Sequence, residues 1–283
     1  MARILVTGAA GAVGRHVVAE LLAAGHEVRA LTRRADPGAR ADGAVAVTGD
    51  LTVPRSLEQA LAGVESVFLA WPLGTSDGAA EVVGRIARQA RRVVLLSSAA
   101  VRDVPGRGPE SPGRPDAELE RLIADSGLRH TFLRPHGFMA NTLRWAPEIR
   151  ADGTVRGYGG AAGLTLIDER DIAAVAARAL TEDGHNGSAY DLTGPQSPTQ
   201  AEQLAIIGRA VGRALRWEEL PRAAARERLL GTGWPAGIVD GALDFMAARI
   251  DSPEPVSSTV QDVTGAPART LAAWAAEHAA AFR

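Results

Sequence analysis

Residues 6–14 read VTGAAGAVG, and the reading of this stretch decides the fold. Gly8, Gly11 and Gly14 space a G-x-x-G-x-x-G motif directly after the short apolar run RILVT (3–7). They open a run of helical period, GAVGRHVVAELLAAG (11–25). In a strand–turn–helix context the first glycine permits a tight turn and the second lets backbone approach a pyrophosphate. The third lets the helix pack closely, so that its N-terminus faces the phosphates. The motif predicts a dinucleotide held around Gly8, Gly11, Ala12, Val13 and Gly14.

The same alternation continues outward. EVRALT (27–32), VAVT (45–48), SVFLA (66–70), RVVLLS (92–97) and HTFLR (130–134) read as strands, separated by helical stretches at 54–62, 78–90 and 116–126. Strands apolar on both faces and alternating with helices predict a parallel sheet covered on both sides. Gly25 and Gly127 stand where a helix end needs a left-handed residue. Beyond residue 135 the pattern loosens. TVRG (154–157), LTLI (164–167) and AYDLT (189–193) read as strands, and helices are expected at 171–181, 199–211, 222–231, 236–249 and 269–282. GTGWPAG and DSPEPVSS are turn-rich breaks. The expected class is α/β: a Rossmann-like doubly wound parallel sheet with a smaller, mostly helical C-terminal substrate lobe. Residues 1–134 form the core, with 164–195 returning to the sheet. Residues 135–163 and 196–283 form the lobe, and the lack of a linker predicts one compact unit.

Composition narrows the function. A 46% hydrophobic, 23% charged chain of 283 residues describes a globular protein with a sizeable core. Its formal charge of −2 gives no electrostatic reason to expect nucleic acid or an anionic membrane. No apolar run approaches the ~20 residues of a membrane span. MARILVTG enters a strand without a signal-peptide pattern, so a cytoplasmic protein with a small-molecule ligand is expected. The absence of cysteine excludes disulfides, thiolate nucleophiles, thiolate-bound zinc and iron–sulfur clusters. All 31 basic residues are arginine. No side chain can form a Schiff base, and no lysine can lower the pKa of a catalytic tyrosine.

The end of the second strand selects the dinucleotide. An NAD binder needs an acid there for the ribose hydroxyls. This strand ends instead in Thr32, Arg33 and Arg34, and guanidinium pairs with a 2′-phosphate where a carboxylate would repel it. NADP(H) is expected, the alternative being that the two arginines are solvated loop charges. Asp50 and Leu51 in VTGDLT are placed to flank the adenine, and Asp50 can also cap the turn that follows. Other strand ends add Ala70, Trp71, Pro72, Ser97, Ser98 and Pro135 to the cofactor-binding set.

Several segments together resemble the NmrA-like branch of the atypical short-chain dehydrogenases/reductases: ILVTGAAGAVGRHVVAELLAAGHEVRALTRR, LLSSAAV, LERLIADSGLRHTFLRPHGFMAN, IDERDIAAVAARAL and YDLTGPQSPTQAEQLAIIGRAVGR. The resemblance spans almost the whole chain. It implies NADP(H)-dependent reduction of quinones or related acceptors, or a redox sensor without turnover. The wider superfamily protonates its substrate with a Tyr-x-x-x-Lys pair aided by a serine. Here Ser97 matches the serine, but the only tyrosines are Tyr158 and Tyr190, and there is no lysine. The position where NmrA-like proteins often carry Lys or His corresponds to Asp116, four before Glu120.

Two readings of the chemistry follow. Hydride transfer to a flat conjugated acceptor (quinone, enone or cationic dye) needs little help from an acid, because the product anion is delocalised or the substrate is already positive. Alternatively another group donates the proton, and His136, just past the sixth strand, is the candidate. Catalytic residues are therefore expected to be His136 and Ser97. Trp71, His136, Phe138, Met139, Asn141, Trp145 and Trp234 are expected to line an apolar pocket for a planar substrate. Asp171 is expected to cap its helix and Asp168 to pair with Arg170. Glu118, Glu120 and Arg121 read as a solvated helix face. No metal-ligand spacing is present. A nucleotide sensor without turnover, or a non-redox cyclase or dehydratase on the same fold, remains as the alternative.

Overall fold

A computed structural model describes residues 1–33, 43–103 and 113–283. The glycine motif sits where its sequence context requires. β1 (Arg3–Val6) runs into the turn and α1 (Gly14–Ala23) leaves it. β2 (Glu27–Thr32), β3 (Val45–Thr48), α2 (Glu58–Leu61), β4 (Ser66–Ala70) and α3 (Ala79–Gln89) follow. β5 (Arg92–Leu96), α4 (Arg114–Asp125) and β6 (Arg129–Pro135) complete the regular part.

After β6 the elements shorten: β7 (Gly137–Phe138), a 3₁₀ turn over Met139–Trp145, α5 (Ala146–Ala151), β8 (Thr154–Gly157) and β9 (Leu166–Ile167). α6 (Glu169–Thr181) and β10 (Ser188–Leu192) then return to the sheet. α7 (Gln200–Val211), β11 (Arg216–Glu219), α8 (Arg222–Leu230), α9 (Ala236–Asp251), α10 (Thr259–Thr264) and α11 (Leu271–Glu277) close the chain.

Among the described residues one seven-stranded, all-parallel sheet has the order β10-β6-β5-β4-β1-β2-β3. Side chains alternate between its faces as a pleated strand demands. Ile4, Val6, Phe68, Val94 and Leu133 pack with α1 and α6, whereas Leu5, Val67, Leu69, Val93 and Leu95 pack with α2, α3 and α4. The order reverses at β1, so the crevice beyond the carboxyl ends of β1 and β4 is where a doubly wound fold binds its ligand. β8 and β11 form a separate parallel pair beside a second core built on Ile149, Leu204, Ile207, Trp274 and Phe282.

The structure adds three things to the sequence pattern. β11 falls on RWEE, a charged edge run with only Trp217 half-buried. The turn and helix over 139–151 are too short for a periodic signal, and a proline opens the helix. The stretch expected as one helix at 269–282 starts at Leu271, with Thr270 as its N-cap, and tightens to a 3₁₀ turn after His278. α7 begins as TQAE implies: Thr199 and Glu202 form a reciprocal capping box. Gly25 and Gly127 have φ of 80° and 79°.

Two local expectations are corrected. The α6 cap is Asp168, whose carboxylate accepts from the Arg170 backbone N–H at 2.9 Å. Asp171 instead points across to Arg269, accepting from its backbone N–H at 2.7 Å and from its guanidinium. Glu120 is the second. Glu118 and Arg121 do pair at the surface, but Glu120 shares the buried stripe of α4 with Leu119 and Ile123.

Candidate active site

The glycine turn is shaped by what a side chain would hit. Gly8 has φ of 62°, a left-handed conformation that glycine adopts without strain. A Cβ on Gly14 would overlap the Gly8 carbonyl, and one on Gly11 would lie 3.0 Å from the same oxygen. The Gly11 N–H donates to that carbonyl at 2.8 Å, folding the turn back on itself. Thr7 fastens the turn to the neighbouring strand: its hydroxyl donates to the Ala70 carbonyl and accepts from the Ala70 N–H. α1 has no side-chain cap and no acid in its first turn, so its N-terminal dipole is left for an anion.

A cleft of about 1090 Å³ opens beside this turn, lined by residues 8–11, 30–33 and 49–52 with Pro72 and Leu73. The volume suits one large ligand. Arg33 is exposed and forms part of the wall; Arg34 lies outside the described residues. Across the cleft, Asp50 accepts at 2.8 Å from both the backbone N–H and the hydroxyl of Thr52. These bonds, with a smaller contribution from the Arg33 charge, hold the Asp50 carboxyl below its ordinary range. Leu51 is buried at the cleft floor. A glycine cradle that a Cβ would fill, an uncapped helix and a basic strand end fit the pyrophosphate and 2′-phosphate of NADP(H).

The β5–β6 end of the same edge is built differently. Ser97, buried, follows β5 and is tied to β6 through its N–H to the Leu133 carbonyl at 2.8 Å. Its hydroxyl donates to Glu120 at 2.6 Å. Arg134 closes on the same carboxylate with two bonds, Nε to Oε1 at 2.9 Å and Nη2 to Oε2 at 2.5 Å. The Glu120 hydrogen bond raises the Arg134 pKa still further. One turn before Glu120, half-buried Asp116 is pushed up to about 6, by burial first and by the Glu120 charge second. Ser98 sits alongside, its hydroxyl accepting from the Ala100 N–H.

His136 follows β6 directly, and its backbone N–H donates to Leu192 of β10. Its Nδ1 lies 2.7 Å from Glu254, and both side chains are only 8% exposed. Glu254 comes from the DSPEPVSS segment and is a residue sequence reasoning missed. A glutamate between prolines in a turn carries no signal that it folds back onto a strand end.

None of the residues expected to line the substrate pocket borders the large cleft. Trp71 is half-buried and donates its Nε1–H to the Thr75 carbonyl at 2.8 Å. Phe138 packs against the sheet core on the α1 side. Met139 is buried in the core of the C-terminal lobe, where Trp145 meets Trp217 edge-on with centroids 5.9 Å apart. Asn141 is exposed, and so is Trp234 at 42%. The aromatic residues therefore divide between core and surface instead of converging on one wall. Pro135, opposite Leu192, is buried at the end of β6.

Comparison with known proteins agrees with this geometry. An NAD(P)H-binding family model matches residues 8–183. The chain is 42% identical over 286 residues, covering 99% of both, to a (4-alkanoyl-5-oxo-2,5-dihydrofuran-3-yl)methyl phosphate reductase of Streptomyces griseus. It is 37% identical over 290 residues, again covering 99% of both, to an NAD(P)H azoreductase of Xenophilus azovorans. Among solved structures, the NADPH-dependent quinone oxidoreductase of Escherichia coli complexed with NADPH superposes with a TM-score of 0.81 at 25% identity, over 97% of this chain and 99% of that one. The chain belongs to the NAD(P)H-binding, NmrA-like branch of the atypical short-chain dehydrogenases/reductases. It is an NADP(H)-dependent oxidoreductase.

Proposed function

We propose that this oxidoreductase reduces a small, planar, conjugated acceptor such as an enone or a quinone. The observation that carries this reading is the commitment of the Ser97 proton. A carboxylate gripped twice by Arg134 can only accept, so the serine hydroxyl donates to Glu120. Ser97 in this arrangement has no proton for a substrate carbonyl, and the chain has neither lysine nor a tyrosine between residues 99 and 126. A simple ketone would develop a localised alkoxide and would depend wholly on His136 for its proton. A conjugated acceptor spreads the charge and needs far less help.

When bound, NADPH supplies the hydride. The glycine turn and Arg33 hold the phosphates, Ser97 offers lone pairs to an N–H or O–H of the bound ligand, and His136 is the proton source for the product anion. The names of the relatives lend support. The furanone phosphate in the name of the Streptomyces griseus relative has a ring C=C bond conjugated with two carbonyl groups, both attached to the same alkene carbon, a conjugated acceptor of the proposed kind. The Xenophilus azovorans and Escherichia coli relatives act on azo compounds and quinones.

The test is NADPH oxidation against a panel of quinones, butenolides and simple ketones at matched concentrations. Turnover of the conjugated acceptors well above that of the ketones is expected. Tight NADPH binding with no turnover of any acceptor would point instead to a sensor or a non-redox enzyme.

A further inference from the structure

We infer that Glu254 is a positioning residue that fixes the working tautomer of His136, so that Nε2 is the nitrogen that exchanges a proton with the bound substrate. The inference rests on His136 being the proton source and adds the group that makes it one.

The geometry is specific. Glu254 uses both oxygens: Oε1 faces His136 Nδ1 at 2.7 Å, and Oε2 accepts from the Thr165 backbone N–H at 2.8 Å and from its hydroxyl at 3.2 Å. Thr165 is fully buried, and the Glu254 backbone N–H is itself anchored on the Gly163 carbonyl. The carboxylate is thus fixed by two bonds from Thr165, and the Glu254 backbone by a third to Gly163, before it meets the imidazole. It has no proton to give, so in the neutral histidine the proton resides on Nδ1 and Nε2 keeps its lone pair. Among the described residues Nε2 has no hydrogen-bond partner, although the side chain is 8% exposed.

The proton step balances simply. The imidazolium carries N–H on both nitrogens. The substrate gains hydride at carbon, the Nε2–H bond breaks as the new O–H or C–H bond forms, and Nδ1–H stays on Glu254. Neutral His136 is left in the tautomer that Glu254 favours, ready to take a proton from solvent at Nε2. Without Glu254 the neutral ring could place its proton on Nε2 and present no acceptor there for reprotonation. Glu254 belongs to the segment after α9, so the C-terminal lobe supplies the group that tunes a residue at the sheet edge.

The experiment uses the full chain saturated with NADP⁺ and ¹⁵N-labelled at histidine, the His136 signals being assigned with His136→Gln. Spectra are read at a pH high enough for the ring to be neutral, and the expected result for the unmodified protein is a proton on Nδ1. A neutral ring that carries its proton on Nε2 overturns the inference without any further variant. Glu254→Gln keeps the size of the side chain but cannot accept from both His136 and the Thr165 N–H. It is expected to abolish the tautomer preference and to lower kcat on a simple ketone by about 10- to 100-fold, with much less effect on a quinone. Thr165→Val, which loosens the anchor but leaves the carboxylate charge, should keep the Nδ1 tautomer. If Glu254→Gln lowers the melting temperature yet leaves tautomer and ketone turnover intact, Glu254 only fastens the C-terminal segment and the inference fails. If Glu254→Gln shifts the tautomer while His136→Gln costs ketone and quinone turnover equally, the proton-source reading of His136 fails, and the catalytic role of Glu254 with it.

Discussion

At the β1–β3 end of the sheet edge the site is made of backbone, whereas at the β5–β6 end it is made of side chains. Among the described residues the first end consists of three glycines, an uncapped helix and one exposed arginine. The second consists of buried and half-buried charged and polar groups: Ser97 with Glu120 and Arg134, and His136 with Glu254. The difference matches the two tasks. A pyrophosphate is the same in every reaction and is met by N–H groups whose positions a turn can fix. The reacting group differs between substrates, and side chains can be exchanged without rebuilding the turn.

This contrast predicts that damage at the first end weakens or abolishes cofactor binding, while damage at the second alters stability and chemistry with NADPH still bound. Gly14→Val should have the largest effect. Its Cβ would overlap the Gly8 carbonyl, and overpacking against backbone should cost about 3 kcal/mol or more, since no flexible side chain is there to yield. Thermal melts and an NADPH titration would check this, and near-normal affinity in a folded Gly14→Val protein would break the comparison.

Glu120→Ala comes next. It leaves Arg134 and Ser97 facing a buried void, and a loss of about 2–3 kcal/mol is expected, below the usual range for a broken buried pair because Arg134 retains 21% exposure. Denaturant unfolding would measure it. NADPH affinity, read separately on the folded variant, should change by less than about threefold, or under ~1 kcal/mol.

Arg33→Ala tests the first end more gently. Loss of one charge-assisted contact should lower the preference for NADPH over NADH by about 1.5 kcal/mol, roughly tenfold, with NADH affinity itself unchanged. Equal weakening of both cofactors would mean that Arg33 shapes the cleft without reading the 2′-phosphate.

The smallest effect concerns Asp116, and its sign depends on pH. Its carboxyl titrates near 6 in the folded chain, above its ordinary value, because burial and Glu120 disfavour the charge. The folded state therefore holds this proton more tightly than the unfolded one, so stability from this group is present at low pH and is lost as pH rises from about 4 to 6. Asp116→Asn, which cannot ionise, should match the unmodified protein at pH 4 and exceed it by about 1 kcal/mol at pH 7, after allowance for the solvent screening of a half-buried group. Equal stability differences at the two pH values would show that Asp116 does not ionise against a penalty.

The same contrast governs what could be read in advance. Gly8, Gly11 and Gly14 were legible because a backbone conformation and a close approach dictate residue type, and the dictate is local. The strands from Arg3 to Pro135 were legible because a sheet buried on both faces demands apolar runs. Glu120 was misread as solvated: on a helix with Glu118 and Arg121 a third charge looks like surface, and only the docking of α4 on β5 and β6 turns it inward. Asp171 was misread for a similar reason, since its partner Arg269 is 98 residues away. Met139, Trp145 and Trp234 were expected to share one apolar pocket wall, and the first two lie in the second core while Trp234 is at the surface.

By itself, then, the sequence determined the parallel α/β sheet, the glycine cradle and the basic strand end that suits NADP(H), since each follows from contacts within a few residues. The tertiary structure alone decided that Ser97 gives its proton to Glu120, that Arg134 closes on that carboxylate, and that Glu254 folds back onto His136. Those pairings join residues 14 to 118 positions apart. A buried charge finds its partner through the packing of whole elements, which no local pattern encodes.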